Sequence, residues 1–432
     1  MKNKKSFFKG ALTGALAVLL IMSMVSCGIK LPGTSKTSKK SSSTSNSEEL
    51  LDDSTKTKLE LLEQLVDESY SGDIDMDDLQ EGLYRGYIDG LGDKYSVYYD
   101  EDETKALMQS TSGEFGGIGA LFSQDKDTKV ITFLKVYEGS GAEEAGFKVD
   151  DILYKVDGKD ISGEDLSEVV SKIRGDEGTT VELTVLRGDD GEEYTATVTR
   201  KIVQTDTVYH EMKEDKIGYI QVTEFDDVTT DQYKEALEDL ENQGMKGLVV
   251  DLRNNPGGNV DTVTDMLDLM LPEGTTLSIK DKQGKESVYE SDDEHQFTKP
   301  LVVLVNENSA SASEIFSGAI QTFGTGEVVG TTTYGKGVVQ QIFDLKDGTS
   351  VKLTIAEYLI AGQFGINGKG VTPDVEVQYE KDAQNPDRDN QLEKALEICN
   401  KYDDENAADI TQRIYRKKIN NTLINSGMEF ME

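Results

Sequence analysis

Hydrophobic residues are spaced differently in successive parts of this 432-residue chain, and each spacing predicts a different kind of element. Between residues 50 and 88, leucines and tyrosines recur at intervals of three and four among charged residues, which is typical of amphipathic helices, and we expect residues 48–110 to form an N-terminal helical region. A glycine stop at Gly90 to Gly92 precedes the tyrosines Tyr95, Tyr98 and Tyr99. We interpret these tyrosines as a packing or dimerisation element and not as part of a site.

The sequence of residues 111–203 predicts a separable unit of short strands. Residues that favour β-strands are concentrated at 130–136 and 181–186, and turn residues separate these runs. The dipeptide Asp157-Gly158 is typical of a tight hairpin turn. One helix is expected from Leu166 to Ile173, where apolar residues recur at helical spacing. The expected fold of this unit is a β-barrel with inserted helices.

From residue 204 to residue 378, apolar strand patterns alternate with helical patterns, which predicts a layered α/β core containing parallel strands. Strands are expected at 217–222, 247–252, 301–305 and 338–343, and helices at 230–242, 260–271 and 311–323. The polar remainder, residues 379–432, contains one helix-like stretch that starts at Gln391. The chain is therefore expected to be an α/β multidomain protein with helical regions at both ends.

The first 47 residues differ in composition from the rest. Four lysines precede an uncharged stretch from Gly10 to Ile29, which is the layout of an export signal in residues 1–27. The end of this stretch resembles a bacterial lipoprotein cleavage box with Cys27 as the lipidation site, and its length of about 20 residues also suits an uncleaved anchor. Either outcome predicts a membrane-anchored protein at the extracytoplasmic face of the cell envelope. Residues 28–47, rich in Ser, Thr and Lys, are expected to be a flexible linker.

Charge and cysteine content narrow the possible partners. A net charge of −37 argues against nucleic acid, because phosphate groups require basic patches. Cys27 and Cys399 are the only cysteines, so lipidation of the first leaves no disulfide. We expect stability to come from packing, and no metal or cofactor is expected.

Ser311 is the candidate nucleophile. It lies in the small-residue run Ser309-Ala-Ser-Ala-Ser313 at the start of a predicted helix. With Glu314 three residues later, Ser311 also completes a capping-box pattern, so a purely structural role is the alternative.

Lys336 is the candidate base and follows Ser311 by 336 − 311 = 25 residues, between Gly335 and Gly337. A lysine accepts a proton only when neutral, so burial or nearby positive charge must lower its pKa by roughly 3 units. Gln340 is a candidate to orient the amine, because residues four apart in a strand point to the same face. The chain has only two histidines, both in charged stretches, which leaves a Ser-His-Asp arrangement as the less simple alternative.

The lysine loop has two other interpretations. Gly330 to Lys336 matches a phosphate-binding loop until Gly337, where Ser or Thr is required, and a strand rather than a helix is predicted to follow. We therefore expect no nucleotide. A surface lysine in a glycine turn is the remaining alternative.

Two glycine-rich segments are candidates for binding anions through backbone amides. Gly257 and Gly258 follow a buried strand, where their amides and that of Ala312 are suited to hold a developing oxyanion. In the β-rich unit the candidate residues for a peptide carboxylate are Gly116, Gly117, Ile118 and Gly119. Ordinary turns without chemistry are the alternative for both segments.

The order of these motifs resembles a known family. Residues 111–203 are similar to a PDZ domain, and the segments around Gly257, Ser311 and Lys336 follow it as in the carboxyl-terminal processing peptidases of family S41. The similarity covers about residues 50–400. It implies that Ser311 is the nucleophile, that Lys336 is the base and that Gln340 orients it, on a core like the crotonase and Clp-protease folds.

The resemblance also implies a function. A member of this family is expected to be a serine endopeptidase that captures unstructured C termini of proteins with its PDZ domain and that forms a homodimer. Arg174 is implied as the residue that senses a bound peptide. The alternative from another class is a catalytically silent PDZ scaffold that binds peptides in the cell envelope.

Overall fold

A computed structural model describes residues 50–404 apart from positions 189, 293, 383 and 387, and the side chains of 402–404 are not described. The predicted export signal or anchor, the lipidation at Cys27, the linker and the end of the C-terminal tail lie outside the described residues. By its internal contacts the chain divides into two units, with the boundary between Ile74 and Asp75.

The first unit contains the helix α1 (Asp53–Ser69), which confirms the helical pattern there. Asp52 is its N-cap and accepts a hydrogen bond from the Thr55 amide at 2.7 Å, which satisfies one of the free amides at the helix start. The helix has no buried residue, and its leucines at positions 61, 62 and 65 are about half exposed.

The second unit begins with two helices that the sequence pattern also predicts, α2 (Met76–Asp89) and α3 (Glu101–Ser112). Between them the tyrosine cluster contains a short strand, β1 (Val97–Tyr99), in which Tyr98 is buried. The pattern does not predict this strand, because three residues are too few to show alternation.

The β-rich unit is connected to the rest by an antiparallel ribbon of β2 (Glu114–Gly117) and β9 (Lys201–Gln204). Its main sheet consists of β3 (Ala120–Gln124), β4 (Ile131–Val136), β5 (Ile152–Val156), β6 (Lys159–Asp160), β7 (Thr180–Arg187) and β8 (Glu192–Thr199). The order is β3-β4-β5-β7-β8, with β6 paired to β5. Two helices accompany the sheet, α4 (Gly141–Glu144) and α5 (Leu166–Ile173). The predicted helix and the predicted hairpin at Asp157-Gly158 are both confirmed, and both turn residues have positive φ.

The α/β core is built on six strands: β10 (Val208–Met212), β11 (Ile217–Val222), β12 (Gly247–Asp251), β15 (Leu301–Val305), β16 (Glu327–Gly330) and β19 (Val375–Glu376). They pair in that order, and all neighbours are parallel except β10 with β11. This confirms the prediction of a layered core with parallel strands.

Helices cover both faces of this sheet. On one face lie α6 (Thr229–Asn242), α7 (Val260–Asp268) and α8 (Ala312–Phe323). On the other face α9 (Asn390–Asp404) packs through Ala395, Ile398 and Cys399. Every residue of β12 and β15 is therefore buried, as parallel strands between helical layers require.

A second sheet is antiparallel and is largely missing from the sequence-based prediction. It contains β1, β13 (Gly274–Asp281), β14 (Glu286–Ser291), β17 (Val338–Asp344) and β18 (Ser350–Ile360). The order is β1-β18-β13-β14, and β17 also pairs with β18. Of these strands only β17 is predicted.

The topology brings two functional loops to one edge of the core sheet. β12 and β15 pair in parallel, with Asp251 opposite Leu304, so their carboxyl ends lie side by side. The loops 252–259 and 306–311 follow these ends. The candidate oxyanion glycines and Ser311 therefore meet where ligands commonly bind in α/β sheets.

Asp226, in the loop after β11, is a buried carboxylate beneath the two-stranded ribbon, and only 6% of it is exposed. A Cβ placed on Gly113 would lie 3.3 Å from its Oδ2. Burial, and then the charges of Glu224 and Asp227, raise the pKa of Asp226 to about 7. The ionised form therefore destabilises the folded protein near neutral pH.

We expect Asp226→Asn to stabilise the protein by about 2 kcal/mol at pH 8 and by much less at pH 4.5. The folded-state pKa lies above the unfolded value, so the wild type loses stability as the pH rises through this interval, whereas the amide does not titrate. Urea unfolding at the two pH values measures the difference. An equal gain at both pH values would contradict the explanation.

Candidate active site

Ser311 lies directly before α8, on the turn that follows β15. Its backbone has φ 53° and ψ −114°, a strained conformation for a residue with a side chain. Two neighbouring serines hold this turn against the loop after β12. Ser309 Oγ donates to Leu252 O at 2.8 Å. Ser313 Oγ donates to Asn255 O at 3.0 Å.

Glu314 joins the serine turn to the lysine loop. Its side chain is fully buried, and both carboxylate oxygens accept hydrogen bonds. Oε2 accepts from the amides of Ser311 at 2.9 Å and Lys336 at 2.8 Å. Oε1 accepts from the Gly335 amide at 2.7 Å and the Thr333 hydroxyl at 2.5 Å. The predicted capping interaction is present, and the same carboxylate also holds the second loop.

Lys336 lies in a turn before β17 and not in the strand, so the same-face argument that linked it to Gln340 does not apply. The flanking glycines allow a close approach to another loop, because a Cβ on Gly337 would lie 2.5 Å from the Asn367 nitrogen. Tyr358 donates its hydroxyl to the Lys336 carbonyl oxygen at 2.7 Å. These contacts fix the backbone from which the amine projects.

The surroundings of Lys336 favour its neutral form. Burial lowers the pKa of the amine, and the positive charge of Lys352 lowers it further. The carboxylate of Glu314 acts in the opposite direction and does not reverse the shift. This is the direction that a lysine base requires.

Gln340 lies on β17, where a bulge displaces its pairing with β18. Its Nε2 is 3.4 Å from Thr354 Oγ1, a long hydrogen bond. Among the described residues, no hydrogen bond joins the Gln340 amide to the Lys336 amine. The structure thus brings Gln340 to the same sheet as the lysine loop but directs its side chain to Thr354.

The glycine loop after β12 packs directly against the serine turn. Gly257 has φ 105°, and a Cβ there would lie 2.8 Å from Ser311 Cβ and 2.9 Å from the Ala312 nitrogen. The Gly257 amide already donates to Asn255 Oδ1 at 2.8 Å. Within the described part of the chain, the amides of Gly258 and Ala312 have no hydrogen-bond acceptor. Of the three oxyanion candidates, these two amides are therefore available to a ligand.

Two residues that the sequence analysis assigned to packing lie at the candidate site. The Tyr95 ring centroid is 5.1 Å from Lys336 Nζ, and Lys94 Nζ donates to the hydroxyl of Tyr334 at 2.9 Å. The segment interpreted as a packing element therefore also contacts the candidate base. A glycine stop followed by aromatic residues marks this segment in the sequence. That pattern does not show which loop of the folded protein the segment contacts.

A groove of about 370 Å³ lies beside the peptide-binding candidates. Gly117, Ile118 and Gly119 line it, together with Leu166 and Val170 of α5. No described residue accepts a hydrogen bond from the amides of Ile118 or Gly119, which form the turn between β2 and β3. These two amides are positioned to meet a carboxylate at the end of the groove.

Gly116 is not among the residues that line this groove, whereas Arg174 is. Gly116 belongs to β2 and pairs with Ile202 of β9, and a Cβ there would lie 1.9 Å from Gly175 O. It is thus a structural glycine of the ribbon. Arg174 follows α5, and its guanidinium carbon lies 4.0 Å from the centroid of the Phe115 ring.

Among the described residues, no group of three or more His, Cys, Asp or Glu side chains is placed to hold a metal ion. The groups at the candidate site are a hydroxyl, an amine and backbone amides. Their arrangement is suited to acyl transfer, in which an activated hydroxyl attacks a carbonyl carbon.

An α/β core with these groups, joined to a β-sheet unit with a groove beside its glycine-rich turn, defines a peptidase with a PDZ domain. The chain belongs to peptidase family S41, whose family model matches residues 216–377. A PDZ domain model matches residues 132–187, and residues 4–104 match the N-terminal domain of the activating protease CtpB. The predicted family and domain type are confirmed.

Named relatives support this assignment. The chain is 36% identical over 335 residues to the carboxy-terminal processing protease CtpA of Bacillus subtilis, covering 77% of this chain and 71% of that protein. It is 35% identical over 369 residues to a Staphylococcus aureus protein named "Probable CtpA-like serine protease", covering 84% and 70%. The solved structure of a photosystem II D1 C-terminal processing protease is 28% identical, with a TM-score of 0.44 over 76% of this chain and 89% of that one.

The role of Glu314 as the connection between the two loops can be tested with Glu314→Gln and Thr333→Val. The glutamine turns an NH₂ group toward two donors, so we expect a loss of at least about 3 kcal/mol in stability. The valine removes one of the four donors and also the acceptor of the Val371 amide, and it should cost about 2 kcal/mol. Urea unfolding measures the loss of stability in each variant, and we expect the larger loss for Glu314→Gln. An equal loss in the two variants would contradict this role of Glu314.

Proposed function

We propose that the protein is an extracytoplasmic serine endopeptidase in which Ser311 is the nucleophile and Lys336 is the general base. One observation carries the proposal: the Glu314 carboxylate bonds the amides of both residues and so holds their loops together. Burial and the charge of Lys352 lower the pKa of Lys336, which is the direction that a lysine base requires.

In the proposed reaction Lys336 Nζ accepts the proton of the Ser311 hydroxyl as Oγ attacks the carbonyl carbon of a peptide bond. Negative charge then develops on the carbonyl oxygen. The amides of Ala312 and Gly258 are the donors proposed to stabilise it, with Gly257 shaping the loop. The position of Ala312 at the start of α8 adds the favourable field of the helix N-terminus.

The second half of the reaction returns the enzyme to its initial state. The Lys336 ammonium gives its proton to the leaving amine, which completes the acyl-enzyme. The neutral Lys336 amine then takes a proton from a water molecule, whose oxygen attacks the ester carbon. As the bond from this carbon to Oγ breaks, the Lys336 ammonium returns the proton to Ser311 Oγ and the new carboxylic acid is released. Gln340 is proposed to orient the amine, which requires its side chain to leave Thr354 when substrate binds.

We propose that substrates are proteins with unstructured C termini, bound through the terminal carboxylate. The amides of Ile118 and Gly119 and the apolar wall of the groove are suited to a peptide that adds beside β3. The relatives named as carboxy-terminal processing proteases favour the same substrate class.

Peptide binding is also proposed to control activity by moving the PDZ domain on its two-stranded ribbon. Arg174, stacked on Phe115 of that ribbon, is the proposed sensor. Lys105 of α3 forms an ion pair with Asp176 at 2.5 Å, and this exposed contact would break at little cost when the domain moves.

The proposed location is the outer side of a membrane, with residues 1–47 supplying the tether. This part of the proposal rests on the sequence of the export signal and of the Cys27 region. None of the helices that the structure describes is both long and apolar enough to cross a bilayer.

We also propose a homodimer. α2 exposes Leu79, Leu83, Tyr84 and Tyr87, which recur at helical spacing along its surface. A cluster of apolar residues at this spacing favours contact with another protein surface.

Mixing the full chain with an unstructured protein should yield fragments, and Ser311→Ala should lower the rate by at least about 10⁴-fold. Lys336→Met should have a comparable effect because it removes the proton acceptor. Lys346→Met, at a lysine whose side chain is 83% exposed, is the matched control and should retain full activity. Gel electrophoresis follows the fragments. An active Lys336→Met would overturn the dyad, and an inactive wild type would overturn the peptidase assignment.

The substrate class is tested by one chemical change. A peptide substrate whose terminal carboxylate is amidated should have a KM at least about tenfold higher than the free acid, because the charge-assisted hydrogen bonds to backbone amides are lost. Steady-state kinetics on the two peptides measure the ratio. Equal KM values would show that the groove does not read the carboxylate.

A further inference from the structure

The tyrosine segment (residues 93–99) is pinned to the sheet that carries the lysine loop. Asp93 accepts hydrogen bonds from the Tyr95 amide at 3.2 Å and the Ser96 hydroxyl at 2.6 Å. Ser96 Oγ in turn accepts from the Thr354 amide of β18 at 3.1 Å. β1, at the end of the segment, pairs with β18 from Val97 onward. The position of Tyr95 is therefore set by the sheet and not by a free loop.

The Tyr95 ring is in contact with two amines. Its centroid is 5.1 Å from Lys336 Nζ and 4.6 Å from Lys94 Nζ. Lys94 also lies over the ring of Tyr334, at 5.0 Å from its centroid, and bonds the hydroxyl of that residue. The cluster of Lys94, Tyr95 and Tyr334 thus covers one side of the candidate base.

We propose that Tyr95 is a positioning residue for the general base, because its ring excludes water from the Lys336 amine and so favours the neutral form. The inference rests on the proposed role of Lys336 and extends it to a residue of the N-terminal helical region. It assigns to that region a part in the chemistry besides any part in packing.

Two effects of the ring oppose each other. The π-face attracts an ammonium ion, which would raise the pKa of Lys336, by about half a pH unit at a partly exposed site. Exclusion of water acts against the ammonium, and burial can lower the pKa of a lysine by several units. Burial of the amine by all its surroundings is the largest influence on Lys336, and the Tyr95 ring, at 5.1 Å, is part of those surroundings. We therefore expect exclusion of water by the ring to outweigh its attraction for the ammonium ion.

Other groups around Lys336 stay unchanged when only Tyr95 is replaced. They come from every element that packs against the amine or its loop: Lys352 and Tyr358 on β18, Glu314 on α8, Tyr334 in the same loop, and Lys94 beside Tyr95. Replacing Tyr95 alone therefore isolates the effect of its ring from the electrostatic effect of these groups.

The test measures the titration of Lys336 without catalysis. In the full chain carrying Ser311→Ala, trace acetylation with acetic anhydride across pH, quantified by mass spectrometry, gives the apparent pKa of Lys336. Lys346 in the same sample is the internal standard. We expect Tyr95→Ala and Tyr95→Gln to raise this pKa by about one unit, because both admit water. Tyr95→Leu and Tyr95→Phe keep apolar bulk and should stay within about 0.3 unit.

The leucine variant separates the two effects of the ring, since it retains bulk without a π-face. A lower pKa in Tyr95→Leu and Tyr95→Ala would mean that the cation–π attraction dominates, and it would overturn the inference. An unchanged pKa in both Tyr95→Ala and Tyr95→Gln would overturn it as well. Thermal unfolding identifies any variant that does not fold. If either Tyr95→Ala or Tyr95→Gln does not fold, the pKa of Lys336 in the other one decides the test.

A kinetic measurement with Ser311 intact provides a second readout. In Tyr95→Ala the acid limb of the pH profile of kcat/KM should move to higher pH, by the same interval as the pKa of Lys336 measured by acetylation. At a fixed pH on this limb, kcat/KM should therefore fall about tenfold. Tyr379→Ala, at an exposed tyrosine after β19, is the control and should leave the limb in place. Absence of proteolysis by the wild type would overturn the proposed function. An unchanged pKa of Lys336 in the acetylation experiment would overturn only this inference.

Discussion

The active site depends on one buried carboxylate, that of Glu314. A charge without access to water is costly unless it is fully hydrogen-bonded, and here four donors satisfy it at the positive end of a helix. Two of the donors are the amides of Ser311 and Lys336. Because the donors belong to different loops, neither loop reaches its final conformation without the other. The carboxylate therefore converts two separate sequence motifs into one site.

The strain at Ser311 is maintained by the same arrangement. Parallel pairing of β12 with β15 sets the glycine loop beside the serine turn, and the glycine loop approaches so closely that Gly257 has no space for a side chain. Hydrogen bonds from Ser309 and Ser313 fix the turn on that side, and Glu314 fixes it on the other. A positive φ at the serine is thus held by packing on two sides.

The segments outside the α/β core are connected to the site by strand pairing. β1 adds the N-terminal helical region to the sheet of β17 and β18 and brings Tyr95 to the amine of Lys336. In the described part of the chain, the PDZ domain is joined to the core by the ribbon of β2 and β9, and the exposed ion pair of Lys105 with Asp176 is a further contact. A two-stranded ribbon is a weak connection compared with a six-stranded sheet, so the PDZ domain is the part of the second unit best suited to move.

The sequence by itself determined the family, the alternation of strands and helices in the core, and the identity of Ser311 and Lys336 as candidates, because apolar periodicity and short motifs are local properties. It did not determine that Glu314 joins their loops, that Gln340 bonds Thr354 instead of Lys336, or that the Gly257 amide is already occupied. Nor did it indicate that Tyr95 covers the base. These features depend on pairs of residues far apart in the chain, such as 95 and 336, and only the pairing of strands in the tertiary structure brings them together.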